Sequence, residues 1–273
     1  MYFVNGQQRD VFTLDDRSFN YGDGCFTTML VESGAISLWP QHQARMSHAL
    51  QRLSIPELNW QEVHTWINQA ISIYHAGRVP QLSGVKLHVS RGTGGRGYSP
   101  REVENTQVTI HPFDYPCHYR QWQVQGISLG VSSLQLGLNP MLAGLKHNNR
   151  LEQVLIKAEI DKQKYDDHVV LDINHHVIEA SASNLFWVKD QCLYTADLSR
   201  SGVAGILREQ VLTLTERLSM KSKVGSFTLE HLTNADEVFI TNALHGVVPV
   251  TSIDTRCFQI GTITRAFQES LNP

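Results

Sequence analysis

The chain opens with short apolar runs punctuated by glycine, asparagine and serine, a pattern of strands joined by tight turns. Residues 2–5 and 11–13 read as short strands, and Gly24–Glu32 followed by residues 35–39 reads as a hairpin turning at Ser33-Gly34. The spacing then lengthens to the helical period. Pro40 suits a helix start, and Met46, Leu50 and Leu53 line one face. A second helix is predicted over 60–74. Alternation returns over 84–91, where Val85, Leu87 and Val89 share a face, and 108–112 reads as a further strand.

Periodicity then lapses, and residues 113–121, around Pro116, form the best linker candidate. Residues 126–136 predict a strand running into a loop from Gly137 to Gly144. Leu151, Val154, Leu155 and Ala158 mark the apolar side of a helix whose wet side carries Glu152, Lys157 and Glu159. Residues 168–173 and 177–188 flank Asn174-His175-His176 and suit an antiparallel hairpin. A helix over 206–218 begins after Gly205, and 237–241 and 247–253 read as strands around a short loop. No internal repeat or low-complexity tract interrupts the series. The mixture predicts an α+β fold of two lobes, a smaller α/β N-terminal domain over 1–115 and a larger C-terminal domain over 122–273.

Composition adds limits rather than chemistry. A chain of 273 residues, 41% hydrophobic and 18% charged, has enough apolar material for about two domains with real cores. A net charge of −3 without a basic stripe argues against a nucleic-acid partner. No apolar run approaches the ~18 residues of a membrane span. The first residues lack a basic stretch followed by an apolar core, so no secretory signal is expected. Cys25, Cys117, Cys192 and Cys257 are scattered without a C-x-x-C pair, as expected of reduced thiols in a cytoplasmic protein.

Several segments invite a chemical reading. Gly92-Thr-Gly-Gly-Arg-Gly97 follows a strand as a phosphate loop must, but Tyr98-Ser99-Pro100 comes next instead of a helix. Without a helix N-terminus the anion-binding logic fails, which leaves a mobile turn or a substrate loop. The thirteen histidines contain no H-x-x-x-H, and there is no G-x-S-x-G elbow, so neither a metal site nor a serine hydrolase is expected. Lys146 ends an apolar loop just before a helix. A lone lysine is ordinarily solvated, yet an ammonium in apolar surroundings loses protons more readily, as a Schiff-base amine requires. Glu179 lies among small residues that would let something flat approach, or it simply faces outward from a strand. Gly205-Ile-Leu-Arg208 opens a helix with free N–H groups, a possible phosphate seat or merely a helix start.

Taken in order, Tyr21-Gly-Asp-Gly-Cys-Phe26, His42-Gln-Ala-Arg45, Gly144-Leu-Lys146, Glu179-Ala-Ser-Ala-Ser-Asn184, Gly202-Val-Ala-Gly-Ile206 and Thr241-Asn-Ala243 with Val248-Pro-Val250 resemble the fold type IV pyridoxal-phosphate enzymes. That family comprises the branched-chain and D-amino-acid transaminases and their relatives. Within it, Leu142–Gln153 (Leu-Ala-Gly-Leu-Lys-His-Asn-Asn-Arg-Leu-Glu-Gln), Phe26-Thr-Thr28 and Arg91–Tyr98 are most similar to the aminodeoxychorismate lyase branch. Leu151 stands where the branched-chain transaminases tend to carry a tyrosine.

The resemblance implies a D-amino-acid aminotransferase-like fold, pyridoxal 5'-phosphate as cofactor, a small-molecule substrate and a homodimer. It implies a lyase making 4-aminobenzoate, a folate precursor, and pyruvate from aminodeoxychorismate, with a D-amino-acid or branched-chain transaminase as the alternative. Lys146, placed in the larger domain, would form the Schiff base and shuttle the proton, and Glu179 would pair with the pyridine nitrogen. Arg45, the backbone of Ile206 and Leu207, and Thr241, Asn242 and Ala243 would hold the phosphate. Relatives carry Gly-Thr where this chain has Asn242-Ala243. Thr28, Arg91, Arg96 and Tyr98 would line the substrate pocket.

Overall fold

A computed structural model describes residues 1–9, 11–78 and 80–272, which divide into two compact units. The first comprises Met1–Tyr115 together with Lys146–Asn149, and the second Pro116–Leu145 together with Arg150–Pro273.

The first unit runs β1 (Phe3–Val4), β2 (Gln7–Gln8), α1 (Arg17–Tyr21), β3 (Gly24–Glu32), β4 (Ala35–Ile36), α2 (Trp39–Leu53), α3 (Trp60–His75), β5 (Leu82–Ser90) and β6 (Gln107–Asp114). Its six strands form one antiparallel sheet in the order β2-β1-β6-β5-β3-β4. The period-two pattern sorts the side chains. Met29, Val85, Leu87, Val89, Val108 and Ile110 are buried, and α2 and α3 pack against β3 and β6 with Met46, Leu50, Val63 and Ile67 buried. Phe26, Thr28, Lys86 and His88 alternate with them and stay half-buried. The register pairs Phe26 with His88 and Thr28 with Lys86, so these four share the sheet's other face.

The second unit runs α4 (His118–Gln125), β7 (Ile127–Val131), α5 (Leu151–Ile160), β8 (Asp167–Leu171), β9 (Val177–Ala180), β10 (Asn184–Lys189), β11 (Cys192–Ala196), α6 (Ile206–Arg217), β12 (Ser222–Gly225), α7 (Leu229–Thr233), β13 (Glu237–Asn242), β14 (Gly246–Ile253), β15 (Arg256–Cys257) and α8 (Thr262–Leu271). Its mixed nine-stranded sheet has the order β12-β11-β10-β13-β14-β7-β8-β9, with β15 beside β14. Strand β9 pairs with β8 and also, through Glu179 and Asn184, with β10, so the sheet closes on itself. One face buries Leu129, Val169, Leu185, Trp187, Ile240 and Val248, and another packs Phe186 and Phe239 against Val211 of α6 and Phe267 of α8. Among the described residues no helix is long and apolar enough to cross a membrane.

Four expectations change. Residues 11–13 pair with no strand, and Val11 is 80% exposed. The strand expected over 126–136 ends at Val131, because Glu159 takes the Ser132 hydroxyl (2.6 Å) and the Ser133 N–H (3.0 Å) out of the ladder. The linker candidate 113–121 is absorbed into the end of β6 and the start of α4. Most consequentially, Lys146 falls with the first unit and not with residues 122–273. Residues 146–149 bond along β3: Phe26 N–H donates to the Lys146 carbonyl (3.0 Å), and Asn148 N–H to the Gly24 carbonyl (3.0 Å).

Candidate active site

Lys146 is held by its backbone and lies against an aromatic ring. Its Nζ sits 4.9 Å from the Phe26 ring centroid, and the Lys86 Nζ lies 4.6 Å from the same centroid. Burial pulls the Lys86 ammonium below its ordinary range. The flanking residues brace the segment. Asn148 Nδ2 donates to the Ser18 hydroxyl (2.8 Å), and Asn149 Nδ2 to the Gly22 carbonyl (3.1 Å). Phe26, Thr28, Lys86 and His88 thus form a half-open floor beside the Lys146 ammonium, with Thr28 and Lys86 directly opposed. Lys86 carries no motif in sequence; only the β3–β5 register brings it to this face.

Arg45 on α2 reaches the same sheet from its helix side. Its Nη2 donates to the Thr27 hydroxyl, which lies 2.6 Å from His42 Nδ1. The hydroxyl has one proton and two lone pairs, so it can accept from Arg45 while pairing with either tautomer of His42. Burial, then the Arg45 charge, holds His42 well below the usual histidine range. Thr27 and His42 therefore fix one edge of the Arg45 guanidinium.

In the second unit Glu179 is 5% exposed, which excludes an outward-facing strand carboxylate. Its Oε2 accepts the Val203 N–H at 2.9 Å. Burial pulls the half-buried Arg150 guanidinium below its usual range, while the Glu179 and Glu152 carboxylates oppose that shift. The loop that Glu179 anchors is tied to the loop ahead of Lys146: Gly144 N–H donates to the Gly202 carbonyl (2.9 Å), and Ala204 N–H to the Gly144 carbonyl (3.0 Å).

The same loop leads into α6. Its cap, Gly205, donates its N–H to Asn184 Oδ1 (3.0 Å), and a Cβ there would fall 2.1 Å from that oxygen. No side chain caps the helix, so the first N–H groups, at buried Ile206 and Leu207, keep their donor capacity for a ligand. At the end of β13, Thr241 is 1% exposed and its hydroxyl oxygen has no hydrogen-bond partner among the described residues. Asn242 is otherwise committed. Its Oδ1 accepts from Leu244 and His245 N–H (both 2.9 Å), and its Nδ2 donates toward the Ala182 carbonyl and the Ser183 hydroxyl. The Asn242 side chain builds its own turn, which leaves the backbone of the loop as its means of reaching a phosphate. Ala243, half-buried, can offer only backbone.

The substrate-side candidates separate. Arg91 is committed to the fold, a correction with a plain cause. Its Nε donates to Asp23 (2.8 Å), Nη1 to the Ser54 carbonyl and Nη2 to the Leu53 carbonyl (both 2.7 Å), the latter two at the C-terminus of α2. Arg96 and Tyr98 are exposed on the loop after β5, where the Tyr98 ring meets Tyr21 edge-on at 5.5 Å. Sequence gave no sign of Arg17, 4% exposed beneath that loop, because its partners lie 80 positions along the chain.

A closed mixed sheet with a carboxylate on one strand and a bare helix start, joined in sequence to an antiparallel lysine-bearing unit, is the fold type IV architecture. The chain belongs to the class IV amino-transferase family, which it matches over residues 24–253. Along its full length it is 45% identical to the aminodeoxychorismate lyase of Vibrio harveyi, covering 100% of both chains. Among solved structures it superimposes on 4-amino-4-deoxychorismate lyase from Pseudomonas aeruginosa with a TM-score of 0.91 and 32% identity, over 99% of this chain and 97% of that one. A hypothetical aminotransferase from Mycobacterium tuberculosis in its PLP-bound form shares the fold, with a TM-score of 0.85 and 17% identity over 98% and 96%.

The enzymes of this family use pyridoxal phosphate, and the residues present suit it. An unpartnered buried hydroxyl at Thr241 and an uncapped helix start are what a phosphate group would satisfy. A buried carboxylate can hold a proton on a ring nitrogen, and a lysine can join an aldehyde.

Proposed function

We propose that this protein is an aminodeoxychorismate lyase, releasing pyruvate and 4-aminobenzoate, a folate precursor, from aminodeoxychorismate. The observation that carries the reading is full-length identity of 45% to a lyase of that name, with Lys146 and Glu179 in place. When bound, pyridoxal phosphate supplies a protonated pyridine ring that accepts the electron pair left at the substrate C4.

The chain's residues do the rest. Lys146 Nζ would hold the cofactor and, once free, take the C4 proton. The adjacent C–O bond then breaks, the enolpyruvyl group leaves, and the six-membered ring becomes aromatic, which drives the step. Glu179 keeps the proton on the ring nitrogen. Arg45, the Ile206 and Leu207 N–H groups, the Thr241 hydroxyl and the backbone of Asn242 and Ala243 hold the phosphate. Thr28 lines the floor and Arg96 and Tyr98 take a substrate carboxylate, while Arg91 acts only through the fold.

The apolar side expected of α5 supports a homodimer. Leu151, Val154 and Leu155 are 68%, 60% and 52% exposed, and the helix buries Ile156 and Ile160 instead. Three large apolar side chains at helical spacing on one face suit a second copy of this chain. Four free cysteines fit a reducing, cytoplasmic setting. The test of the activity is whether the cofactor-loaded protein converts aminodeoxychorismate to pyruvate and 4-aminobenzoate in equal amounts.

A further inference from the structure

The glycine-rich segment after β5 is built around a cation. Arg17 Nη1 donates to the carbonyls of Gly94 (3.3 Å), Gly97 (3.1 Å) and Ser99 (3.3 Å), and Nη2 to that of Tyr98 (3.1 Å). Its backbone N–H donates to the Gly92 carbonyl at 2.9 Å. Carbonyl oxygens converge, so the loop is the electrostatic inverse of a phosphate-binding loop, whose N–H groups converge.

Glycine makes this possible. Gly92, Gly94, Gly95 and Gly97 all have positive φ (115°, 106°, 75° and 58°), and a Cβ on Gly95 would lie 2.9 Å from Arg17 Nη1 and 2.3 Å from the Ser99 carbonyl oxygen.

The cation is itself fixed. Arg17 Nε donates to Asp23 Oδ2 at 2.9 Å, and Arg91 Nε meets the same oxygen at 2.8 Å. Burial pushes the Asp23 carboxyl up, but the two arginines more than offset it and hold it below its ordinary range. Asp16, fully buried, caps α1 through Ser18 N–H (2.7 Å) and Phe19 N–H (3.2 Å) and so fixes the turn that carries Arg17. Above the guanidinium, Tyr21 lies 5.0 Å away by its ring centroid, and Tyr98 packs edge-on against Tyr21. The segment is therefore neither a loose turn nor a nucleotide loop. Its shape is imposed by one buried side chain.

We propose that Arg17 is the positioning residue of the substrate loop: seated under Gly94–Ser99 and anchored by Asp23, it fixes the backbone from which Arg96 and Tyr98 meet the substrate carboxylate. The proposal rests on the substrate role assigned to Arg96 above. Arg17 touches no reacting atom; it acts through the loop, on binding rather than on proton transfer.

The test compares wild type, Arg17→Met, Arg96→Ala and the double variant as cofactor-loaded enzymes turning over aminodeoxychorismate, with hydrogen exchange read across residues 93–99. Arg17→Met should raise KM by about tenfold or more, hold kcat and cofactor affinity, and speed exchange in the loop. In that background Arg96→Ala should add less than about threefold to KM, because its side chain is already misplaced. Arg17→Lys, which can reach fewer carbonyls, should fall between, and it carries the same cycle where Arg17→Met fails to fold. An unchanged KM in Arg17→Met beside a raised KM in Arg96→Ala overturns the clamp, as do fully additive effects. A wild-type KM in Arg96→Ala overturns the substrate role of Arg96 itself, a distinguishable failure.

Discussion

Charged residues in this molecule divide by what surrounds them. Arg91 has all three guanidinium nitrogens bonded to Asp23 and to the end of α2, whereas Glu179 is buried with one oxygen on the Val203 N–H. A buried carboxylate on the sheet can sit against a cationic ring nitrogen, where its charge matters more than its shape. Glu179→Gln keeps the shape and removes the charge. The variant should still bind pyridoxal phosphate through Lys146 and the phosphate seat, while turnover falls by about two to four orders of magnitude because the ring loses its proton. Absorbance of the bound cofactor and steady-state rates check this; wild-type turnover would remove Glu179 from the chemistry. Lys146 and Glu179 could be singled out in sequence because each lies in a local motif. Arg17, Lys86 and the Thr27–His42 pair could not, since their meaning arises from partners brought close by strand register and by loops distant in sequence.

At the scale of elements, the period of apolar residues located most helices and strands, and failed where an apolar side does not face its own core. Leu151, Val154, Leu155 and Ala158 have the spacing of a buried stripe, yet all four are exposed while Ile156 and Ile160 are buried. Periodicity reports that a face is covered, not by what. Helix α8 escaped notice for the opposite reason: its start is set by Glu237, whose Oε2 accepts the Thr264 N–H at 2.7 Å from another strand. If the α5 stripe meets a second copy, Leu155→Glu should weaken self-association by about two orders of magnitude while leaving helix content intact. Sedimentation at micromolar protein measures this. A wild-type monomer, or a variant as dimeric as the parent, would place the stripe elsewhere.

For the molecule as a whole, buried neutral histidines tie stability to pH. Burial, then the Lys86 charge, pulls His88 down to about 4, and burial alone leads the fall of His245 to about 4. Unfolded, both bind protons near pH 6.5. Between about 6.5 and 4 the unfolded chain takes up protons that the folded one refuses, so stability is full above that window and falls as pH drops through it. The slope should approach about 1.4 kcal/mol per pH unit for each histidine, with His42 adding in the same direction. Urea unfolding from pH 7.5 to 5 reads this; a flat profile would mean that these histidines take up protons in the native state as readily as in the unfolded chain.

The central claim concerns chemistry, and one comparison addresses it most directly. Cofactor-loaded protein should be given aminodeoxychorismate in one assay and D-alanine with 2-oxoglutarate in another, with kcat/KM measured for each. The account predicts pyruvate and 4-aminobenzoate released one for one, and transamination slower by at least about a hundredfold. Faster transamination, or no 4-aminobenzoate from protein whose Lys146 carries the cofactor, would contradict it.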